Sequence, residues 1–323
     1  MKAIVCTKYG KPEVLQIKEM AKPIPTENEV LVRIKATVAA PADCAFRKGE
    51  PVISRLFTGL LKPKYIPGDT LSGSIETIGK NVKTFKPGDE IYGSSGTKFS
   101  TNAEYITLTE DAAIAVKPKN ISFGEAAGIS ERALTALPFL RDSGKIEKGQ
   151  KVLINGASGG IGVYAVQLAK YFGAVVTCVC STANLELVRQ LGADRVIDYT
   201  KVDFTKTGQT YDIIFDTVAK SSFARCKSAL SPNGIYLTTF PAMSVMLRMF
   251  ITGGLGGKKA VFLASGLRKP SEKKKDLDFL RELIEKGIIK SVIDREYSME
   301  QVTEAHRYVE TGHKKGSVII TIC

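Results

Sequence analysis

The chain has 323 residues, 44% of them hydrophobic and 24% charged, and a formal net charge of +13. This composition is typical of a soluble globular protein with room for two domains, and no run approaches the roughly 18 apolar residues that a membrane-spanning helix needs. The six scattered cysteines, the two histidines and a start that turns polar after five residues argue against a disulfide framework, an imidazole-rich metal site and a signal peptide, so we expect a cytoplasmic protein.

The first third of the chain alternates short β-rich runs with turns rich in Gly and Pro, such as Lys86–Asp89 (KPGD). Turn signals between short strands predict an irregular β-barrel with few helices before residue 122. The predicted strands are Lys2–Cys6, Glu29–Lys35, Gly73–Ile78, Asp89–Tyr92 and Ala103–Leu108.

From Ser122 onward, helical and strand patterns alternate, beginning with an Ala- and Leu-rich helix within Phe123–Arg141. Alternation of this kind predicts a parallel, doubly wound sheet with helices on its faces. The predicted strands are Lys151–Asn155, Val175–Cys180, Arg195–Asp198, Tyr211–Asp216, Gly234–Phe240 and Lys259–Ala264.

The C-terminal part begins with the densest basic cluster, Arg268–Lys275 (RKPSEKKK), which we interpret as a solvated loop because it contains Pro and Ser. No aromatic residues are interleaved with it, so nucleic-acid binding is not expected. Two helices, Asp276–Lys286 and Met299–Thr311, and a final strand, Ser317–Ile322, follow. A strand after the α/β block predicts that the chain returns to its first domain.

A glycine-dense turn, Asn155–Gly162 (NGASGGIG), joins the apolar run Lys151–Ile154 to a predicted amphipathic helix, Ile161–Phe172. The predicted apolar face consists of Ile161, Ala165, Leu168 and Phe172. Small residues let the backbone approach a phosphate, and a helix start directs its N–H groups and positive dipole end toward it. The turn therefore predicts the dinucleotide site of a nicotinamide-dependent oxidoreductase; the alternative is a glycine-rich β-hairpin.

Further short sequence motifs along the whole chain support the interpretation of the glycine turn. They are Glu29–Ile34 (EVLVRI), Ile66–Gly79, Phe85–Gly93, Ala103–Tyr105, Leu134–Ala136, Lys148–Phe172, Leu191–Asp198 and Ala305–Val309. In this order they resemble the medium-chain dehydrogenase/reductase superfamily, in its zinc-independent branch of quinone oxidoreductases and enone reductases. The resemblance implies an α/β fold: a GroES-like irregular β-barrel catalytic domain (1–122 and 267–323) with an inserted Rossmann domain, a doubly wound parallel sheet (123–266). It also implies a homodimer.

The resemblance implies that the glycine turn wraps the pyrophosphate of the cofactor. Ala157 stands where the stricter fingerprint has its first Gly, while Gly159 and Gly162 allow close approach and helix–sheet packing. The implied cofactor-binding residues of the turn are Gly156, Ala157, Ser158, Gly159, Gly160, Ile161 and Gly162. By the same resemblance, Thr135 and Phe240 lie near the nicotinamide.

The end of the second strand of this domain bears on the choice of cofactor. An enzyme for NAD usually places Asp or Glu there for the ribose 2′-hydroxyl, but Cys178–Asn184 contains no acid. Ser181 and Thr182 offer hydroxyl donors to a 2′-phosphate, with a helix N-cap as a second interpretation of Ser181. By resemblance Tyr199 lies at the adenosine end. NADPH is therefore expected rather than NADH, although Ala183 replaces a basic residue of many relatives.

Zinc alcohol dehydrogenases of the same superfamily bind their metal through Cys, His and a further Cys or Asp. Carried over onto this chain, those positions read Ala40, Asp69 and Ser130–Arg132. Cys44 and Asp69 are the remaining conceivable ligands, and together they make a poor site. No zinc is therefore expected.

Without a Lewis acid, a conjugated acceptor suits the reaction better than a simple carbonyl or alcohol. Hydride then adds to an activated C=C bond or a quinone, so we expect a small hydrophobic conjugated substrate. Ala40 and Ala45 replace the Asn and Tyr of many quinone reductases, which leaves the catalytic residue unassigned. Weak candidates around the expected cleft are Lys64, Tyr65, Asp69, Glu131 and Arg132.

A second function also fits the sequence. The chain is then a catalytically weak NADPH-binding relative that acts as a binding or sensing protein. The Met-rich segment Pro241–Phe250 predicts one of three roles: a wall of an apolar pocket, a dimer contact or core packing. Because Arg248 lies in this segment, shallow contact with a membrane surface is a fourth alternative. Cys44 is either a reactive thiol near the cleft or a buried, inert one.

Overall fold

The computed structural model describes residues 1–240, Val245 and 257–322. The chain divides into two compact units, Met1–Glu131 with Gly266–Cys323, and Arg132–Ser265. Apart from Val245, the predicted pocket wall or dimer contact Pro241–Phe250 lies outside the described residues. Within the described part of the chain, no helix is both long and apolar enough to cross a bilayer.

Strands and helices alternate from the middle of the chain onward, as the sequence predicts. The strands are β1 Lys2–Cys6, β2 Leu15–Glu19, β3 Glu29–Val38, β4 Thr70–Ile78, β5 Glu90–Ser94, β6 Tyr105–Thr109, β7 Ala113–Val116, β8 Lys151–Asn155, β9 Val175–Cys180, β10 Arg195–Asp198, β11 Tyr211–Asp216, β12 Leu230–Thr238, β13 Lys259–Phe262, β14 Ile293–Ser298 and β15 Ser317–Thr321. The α-helices are α1 Pro41–Lys48, α2 Arg55–Thr58, α3 Phe123–Pro138, α4 Gly162–Tyr171, α5 Leu185–Gln190, α6 Phe223–Cys226, α7 Pro270–Glu285 and α8 Val302–Glu310.

The first unit is built on a sheet with the order β14-β15-β3-β4-β5-β7, in which β6 also pairs with β3. Alternating apolar residues of β3, among them Val30, Val32 and Ile34, are buried against Leu71 and Ile91 of the neighbouring strands. The last strand of the chain, β15, pairs with β14 and antiparallel with β3. Strand β15 therefore lies in the interior of a sheet whose first strand in the chain is β3, while β1 and β2 form a separate two-stranded sheet.

The second unit is a sheet of six parallel strands in the order β10-β9-β8-β11-β12-β13. The strand order reverses between β8 and β11, which leaves a crevice at the carboxyl ends of these two strands. The predicted doubly wound parallel sheet is confirmed, and the bounds of β8 to β11 match the predicted strands. The glycine turn follows β8 at this crevice.

Two sequence predictions are wrong in detail. The helix after the glycine turn was expected to be buried on one face, but every residue of Gly162–Ala169 is buried, because α4 packs on the sheet and against the segment after α3. The basic cluster Arg268–Lys275 is not a solvated loop, since α7 begins at Pro270. Proline suits a first helical turn, where its missing N–H would have no partner.

Candidate functional site

The glycine turn between β8 and α4 is closed so tightly that two of its glycines have no room for a side chain. Gly156 has φ +81°, and a Cβ there would stand 2.4 Å from Cγ1 of Val218. A Cβ on Gly162 would stand 2.2 Å from the carbonyl oxygen of Gly156. Gly159 is more open, with its nearest neighbour, the same carbonyl oxygen, 3.3 Å from a Cβ. The turn thus brings bare backbone to the start of a helix.

The start of α4 carries no side-chain cap, because its N-cap residue is Ile161. The helix dipole is positive at this end. The N–H groups of Val163 and Tyr164 already donate to the carbonyl oxygens of Gly159 and Ile161, at 3.1 and 3.2 Å, so a ligand would bind to the N–H groups that come before them. The remaining turn residues, Ala157, Ser158 and Gly160, lie on the chain between β8 and this helix start and are buried. The predicted residues of the turn therefore form a cradle suited to a pyrophosphate.

A buried carboxylate is hydrogen-bonded to the end of β8, where the glycine turn begins. Asp216, at the end of β11, is fully buried and accepts hydrogen bonds from Nδ2 of Asn155 at 3.0 Å and from the hydroxyl of Tyr236 at 2.9 Å. The hydroxyl of its neighbour Thr217 donates to the carbonyl oxygen of Asn155 at 2.9 Å. Asp216 was not among the predicted residues, although its place at the carboxyl end of a strand beside β8 is the signal that finds it.

Asn184 joins two predicted serines, Ser158 of the glycine turn and Ser181 of the ribose end. Its Nδ2 lies 3.0 Å from the hydroxyl oxygen of Ser158 in the glycine turn and 3.2 Å from that of Ser181. Ser181 makes no side-chain cap to the following turn, so its hydroxyl is not used as an N-cap. The Oδ1 atom of Asn184 is buried without a hydrogen-bond partner among the described residues. An amide atom of this kind can bind a hydroxyl or phosphate group.

A carboxylate that the sequence did not predict lies beside Thr182. Asp198 ends β10 and pairs in register with Cys180 of β9. It accepts a hydrogen bond from the Thr182 hydroxyl and another, of 2.7 Å, from the Thr200 hydroxyl. These hydrogen bonds, that of Thr182 first, lower the pKa of Asp198. Although Cys178–Asn184 contains no acid, Asp198 therefore places a carboxylate at this end of the site.

The other predicted cofactor residues differ in exposure. Tyr199, next to Asp198, is 58% exposed, and Phe240 is 54% exposed. Thr135 is buried, and its hydroxyl oxygen lies 3.2 Å from that of Ser265. Tyr199 and Phe240 are thus open to a ligand, whereas Thr135 already has a side-chain partner.

The catalytic candidates of the first unit do not form one cluster. Lys64 is exposed, whereas the hydroxyl of Tyr65 is buried without a partner among the described residues, and burial raises its pKa. Asp69 and Glu131 share a neighbour that the sequence did not predict, Lys273 of α7.

Arg132 and Cys44 are both buried. Arg132 begins the second unit. The Cys44 thiol lies 3.5 Å from Nδ1 of His306, and burial raises its pKa to about 12, which favours the inert thiol over the reactive one.

Comparison with known proteins gives the family. The alcohol dehydrogenase GroES-like domain family matches residues 26–138, and the zinc-binding dehydrogenase family matches residues 191–320. The 2-methylene-furan-3-one reductase of Solanum lycopersicum is 33% identical over 99% of this chain and 79% of its own length. The chain belongs to the medium-chain dehydrogenase/reductase superfamily. Within it, the chain falls in the branch of quinone oxidoreductases and enone reductases.

Two further proteins of this branch, one compared by sequence and one by structure, are similar to nearly the whole chain. The chloroplastic NADPH-dependent alkenal/one oxidoreductase of Arabidopsis thaliana is 31% identical over 99% of this chain and 79% of its own length. The structure of the quinone oxidoreductase from Coxiella burnetii superposes with a TM-score of 0.88 at 26% identity, covering 100% of this chain and 99% of that one. The likeness thus covers both units of the medium-chain fold.

The residues of this family member do not fit the catalytic zinc of its metal-dependent relatives. The first ligand position is Ala40, which has no donor atom. At the other two positions stand Asp69 and Ser130–Arg132. The charges of Asp69 and Glu131 act on the ammonium group of Lys273, a positive charge that opposes a metal cation. Within residues 1–240, 245 and 257–322, no three His, Cys, Asp or Glu residues gather as metal ligands would.

Proposed function

We propose that the protein is an NADPH-dependent reductase that transfers hydride to a quinone or an α,β-unsaturated carbonyl without a metal ion. The observation that carries the proposal is the glycine turn, whose bare backbone at the start of a helix suits a pyrophosphate. The zinc position, whose first residue is Ala40, supports a reaction without a metal ion. The named activities of the tomato and Arabidopsis relatives support the same class of reaction. NADPH, when bound, supplies the hydride.

The chain's own residues then hold and orient the reactants. The backbone of the turn from Gly156 to Gly162 binds the pyrophosphate, and Asp216 keeps that turn in place through Asn155. Ser181 and Asn184 present polar atoms to the ribose, and the basic net charge of +13 attracts an anionic cofactor. We assign the cofactor domain to the second unit and the catalytic domain to the first.

Steady-state oxidation of NADPH and NADH against a panel of quinones, enals and enones tests this proposal. We expect turnover with conjugated acceptors, none with saturated ketones or simple alcohols, and no loss of activity after dialysis against a chelator. Absence of turnover with every conjugated acceptor would overturn the proposed reaction. Loss of activity with the chelator, restored by zinc, would overturn its metal independence.

The second candidate is a catalytically weak NADPH-binding protein with a binding or sensing role. Ala40 and Ala45, which replace the polar pair of many quinone reductases, favour it. Tight binding of NADPH, measured by fluorescence, together with no turnover on the same panel would support this candidate. A cytoplasmic location stays a prediction, to be tested by cell fractionation, since the Arabidopsis relative is chloroplastic.

A further inference from the structure

The segment that follows α1 in the first unit presents an apolar patch to solvent. Five large hydrophobic side chains within residues 52–61 are each more than half exposed, by 53% to 90%: Val52, Leu56, Phe57, Leu60 and Leu61. One exposed apolar side chain is ordinary on a protein surface, whereas a group of them marks a surface that another molecule covers. Neither the cofactor site nor the fold of the unit accounts for this patch.

The helical turns of this segment are polar on the inside and apolar on the outside. A 3₁₀ turn at Val52–Ser54 leads directly into α2. Ser54 and Thr58, four residues apart and therefore on one face, are both buried, whereas Val52 and Leu56, also four residues apart, are both exposed. A surface helix normally directs its apolar face toward the core. The reversed pattern indicates that the apolar face of this segment serves a contact outside the unit.

Contacts on the buried side hold the segment in this orientation. The hydroxyl oxygens of Thr58 and Tyr9 lie 2.8 Å apart, within hydrogen-bonding distance. Nε of Arg55 donates a hydrogen bond of 3.2 Å to the carbonyl oxygen of Gly49, and the guanidinium of Arg55 lies 4.6 Å from the centre of the Tyr9 ring. The apolar side chains could not turn inward without the loss of these contacts, so their exposure is a property of the folded unit.

Basic residues accompany the apolar patch, and acidic residues do not. Residues 51–68 contain Arg55, Lys62 and Lys64 but no Asp or Glu. Lys62 and Lys64 are exposed, and neither forms an ion pair or a side-chain hydrogen bond with any residue that the structure describes. Exposed apolar side chains next to lysines are typical of segments that lie in the interface of a bilayer, where anionic headgroups complement the positive charge.

The size and composition of the apolar patch favour a lipid surface over a protein partner. A stable protein interface takes about 20–30 residues from each side, and lysine is depleted in it. Binding to a bilayer has no such minimum, because its strength grows with the apolar area inserted and with the attraction of basic residues to anionic lipids. Five apolar side chains and an unpaired couple of lysines therefore suit reversible binding to a membrane surface.

We propose that residues 52–64 form a docking surface for an anionic lipid bilayer. The apolar patch inserts below the headgroups, and the ammonium groups of Lys62 and Lys64 bind the lipid phosphates. The protein then lies on one face of a membrane and does not cross it. This inference goes beyond the proposed reaction and needs neither cofactor nor acceptor, so it can fail or hold independently of that reaction.

Flotation of the protein with vesicles of phosphatidylcholine and phosphatidylglycerol tests the docking surface. L60S/L61S removes two apolar side chains and leaves the net charge of +13 unchanged, so any loss of binding reports apolar insertion. We expect this variant to bind the vesicles at least about tenfold more weakly than the wild type. The matched control is I24S/L267S, the same change at two exposed positions outside the patch, which should bind like the wild type.

Charge variants separate the two lysines from the basic charge of the whole protein. K62Q/K64Q and K83Q/K86Q each remove two positive charges, the second pair at exposed lysines in another part of the first unit. We expect K62Q/K64Q to bind the anionic vesicles about fivefold more weakly than K83Q/K86Q does. Equal binding by the two variants, or equal binding of the wild type to vesicles of pure phosphatidylcholine, would overturn the role of the anionic headgroups.

The chain contains no tryptophan, which permits a test that keeps the patch apolar. L61W places a single indole in the patch, and I24W places one at an equally exposed position elsewhere. The emission of an indole shifts to shorter wavelength when it leaves water for the membrane interface, where tryptophan is favoured. We expect anionic vesicles to cause this shift in L61W and not in I24W.

Two results would overturn the proposal. One is an unshifted emission of L61W in a variant with a wild-type melting temperature, which holds even where L60S/L61S fails to fold. The other is a wild type that floats with no vesicles but whose self-association is lost in L60S/L61S, since the patch would then bind a second copy of the chain.

Discussion

The negative charge of Asp198 should weaken the binding of NADPH, and this effect can be tested. The carboxylate accepts the hydroxyl hydrogen of Thr182, the residue predicted to donate to a 2′-phosphate. Replacement D198N removes one negative charge from this position. We expect the KM for NADPH to fall by about fivefold and that for NADH to change little, because only the phosphate of NADPH is repelled.

The control for D198N is T200V, which removes a hydroxyl that donates to the same carboxylate and leaves the charge in place. Both variants disturb the local hydrogen bonds, but only D198N changes the electrostatics. Initial rates with each cofactor at low ionic strength measure the effect. A fall in the NADPH KM in T200V as large as that in D198N would show that charge is not the cause.

His306 predicts how the protein responds to acid. It is fully buried, Nδ1 faces the Cys44 thiol, and desolvation together with the charge of Arg47 lowers its pKa to about 3. An unfolded histidine titrates near pH 6.5, so between these values the unfolded state binds one more proton. The free energy of unfolding should therefore fall as pH drops from 6.5 toward 3, by up to about 1.4 kcal/mol per pH unit from this residue.

Urea unfolding between pH 4 and 7 measures this linkage as the difference between the wild type and H306N. The free energy of unfolding should fall more steeply toward acid in the wild type than in H306N. The difference between the two slopes should correspond to about one proton bound on unfolding. H313N, the same change at an exposed histidine, is the matched control. Parallel curves for the wild type and H306N would contradict a neutral buried His306.

The residues that sequence reasoning missed share a physical reason. Asp216 and Asp198 become part of the site only because their strands end beside β8 and β9, a neighbourhood set by strand order. Lys273 was hidden in a basic run, and only tertiary packing separates it from its exposed neighbour Lys275. The glycine turn was predictable because its chemistry depends on residues adjacent in the chain.

The glycine turn allows cofactor binding and folding to be tested separately. In G162A the new Cβ would overlap the Gly156 carbonyl oxygen, and this overpacking should cost about 1–3 kcal/mol and lower the melting temperature by several degrees. In G159A the Cβ fits with a shift of a few tenths of an ångström. We expect G159A to keep a melting temperature within about 2 °C of wild type and yet bind NADPH at least about tenfold more weakly.

Calorimetric melting and a fluorescence titration with NADPH measure the two effects. G266A, at a position where a Cβ meets nothing within 4 Å, controls for a general effect of the substitution. Wild-type affinity for NADPH in G159A would contradict the assignment of this turn to the pyrophosphate.

At the level of elements, local pattern was a good guide to strands and a poorer one to helices. The strands β8 to β11 have apolar or β-branched residues at their centres and turn residues around them, and their bounds were predicted correctly. Burial around all of α4 was not predictable, because it depends on what packs over the helix. The helix α7 begins at Pro270, six residues before the predicted start, because proline suits the first helical turn as well as a loop.

The whole molecule is predicted to be a homodimer that pairs through an edge of the parallel sheet. Within the described residues, β13 is bonded on one side only, to β12, and forms such an edge. Light scattering should give about twice the chain mass of 35.0 kDa. V261E places like charges at this edge in both copies and should produce a monomer, whereas V196E on the opposite edge strand, β10, should not. A monomeric wild type would contradict the prediction.

The position of β15 has a consequence for how the protein is made. During synthesis, residues Ala36–Val38 of β3 leave the ribosome nearly the whole chain before their partners Ile319–Thr321. Until then that part of the edge has no partner and is open to wrong pairing, while the second unit, contiguous in the chain, can already fold. The first unit thus consists of one segment that is translated before the second unit and one that is translated after it. Loss of Ser317–Thr321 would remove an interior strand of this sheet.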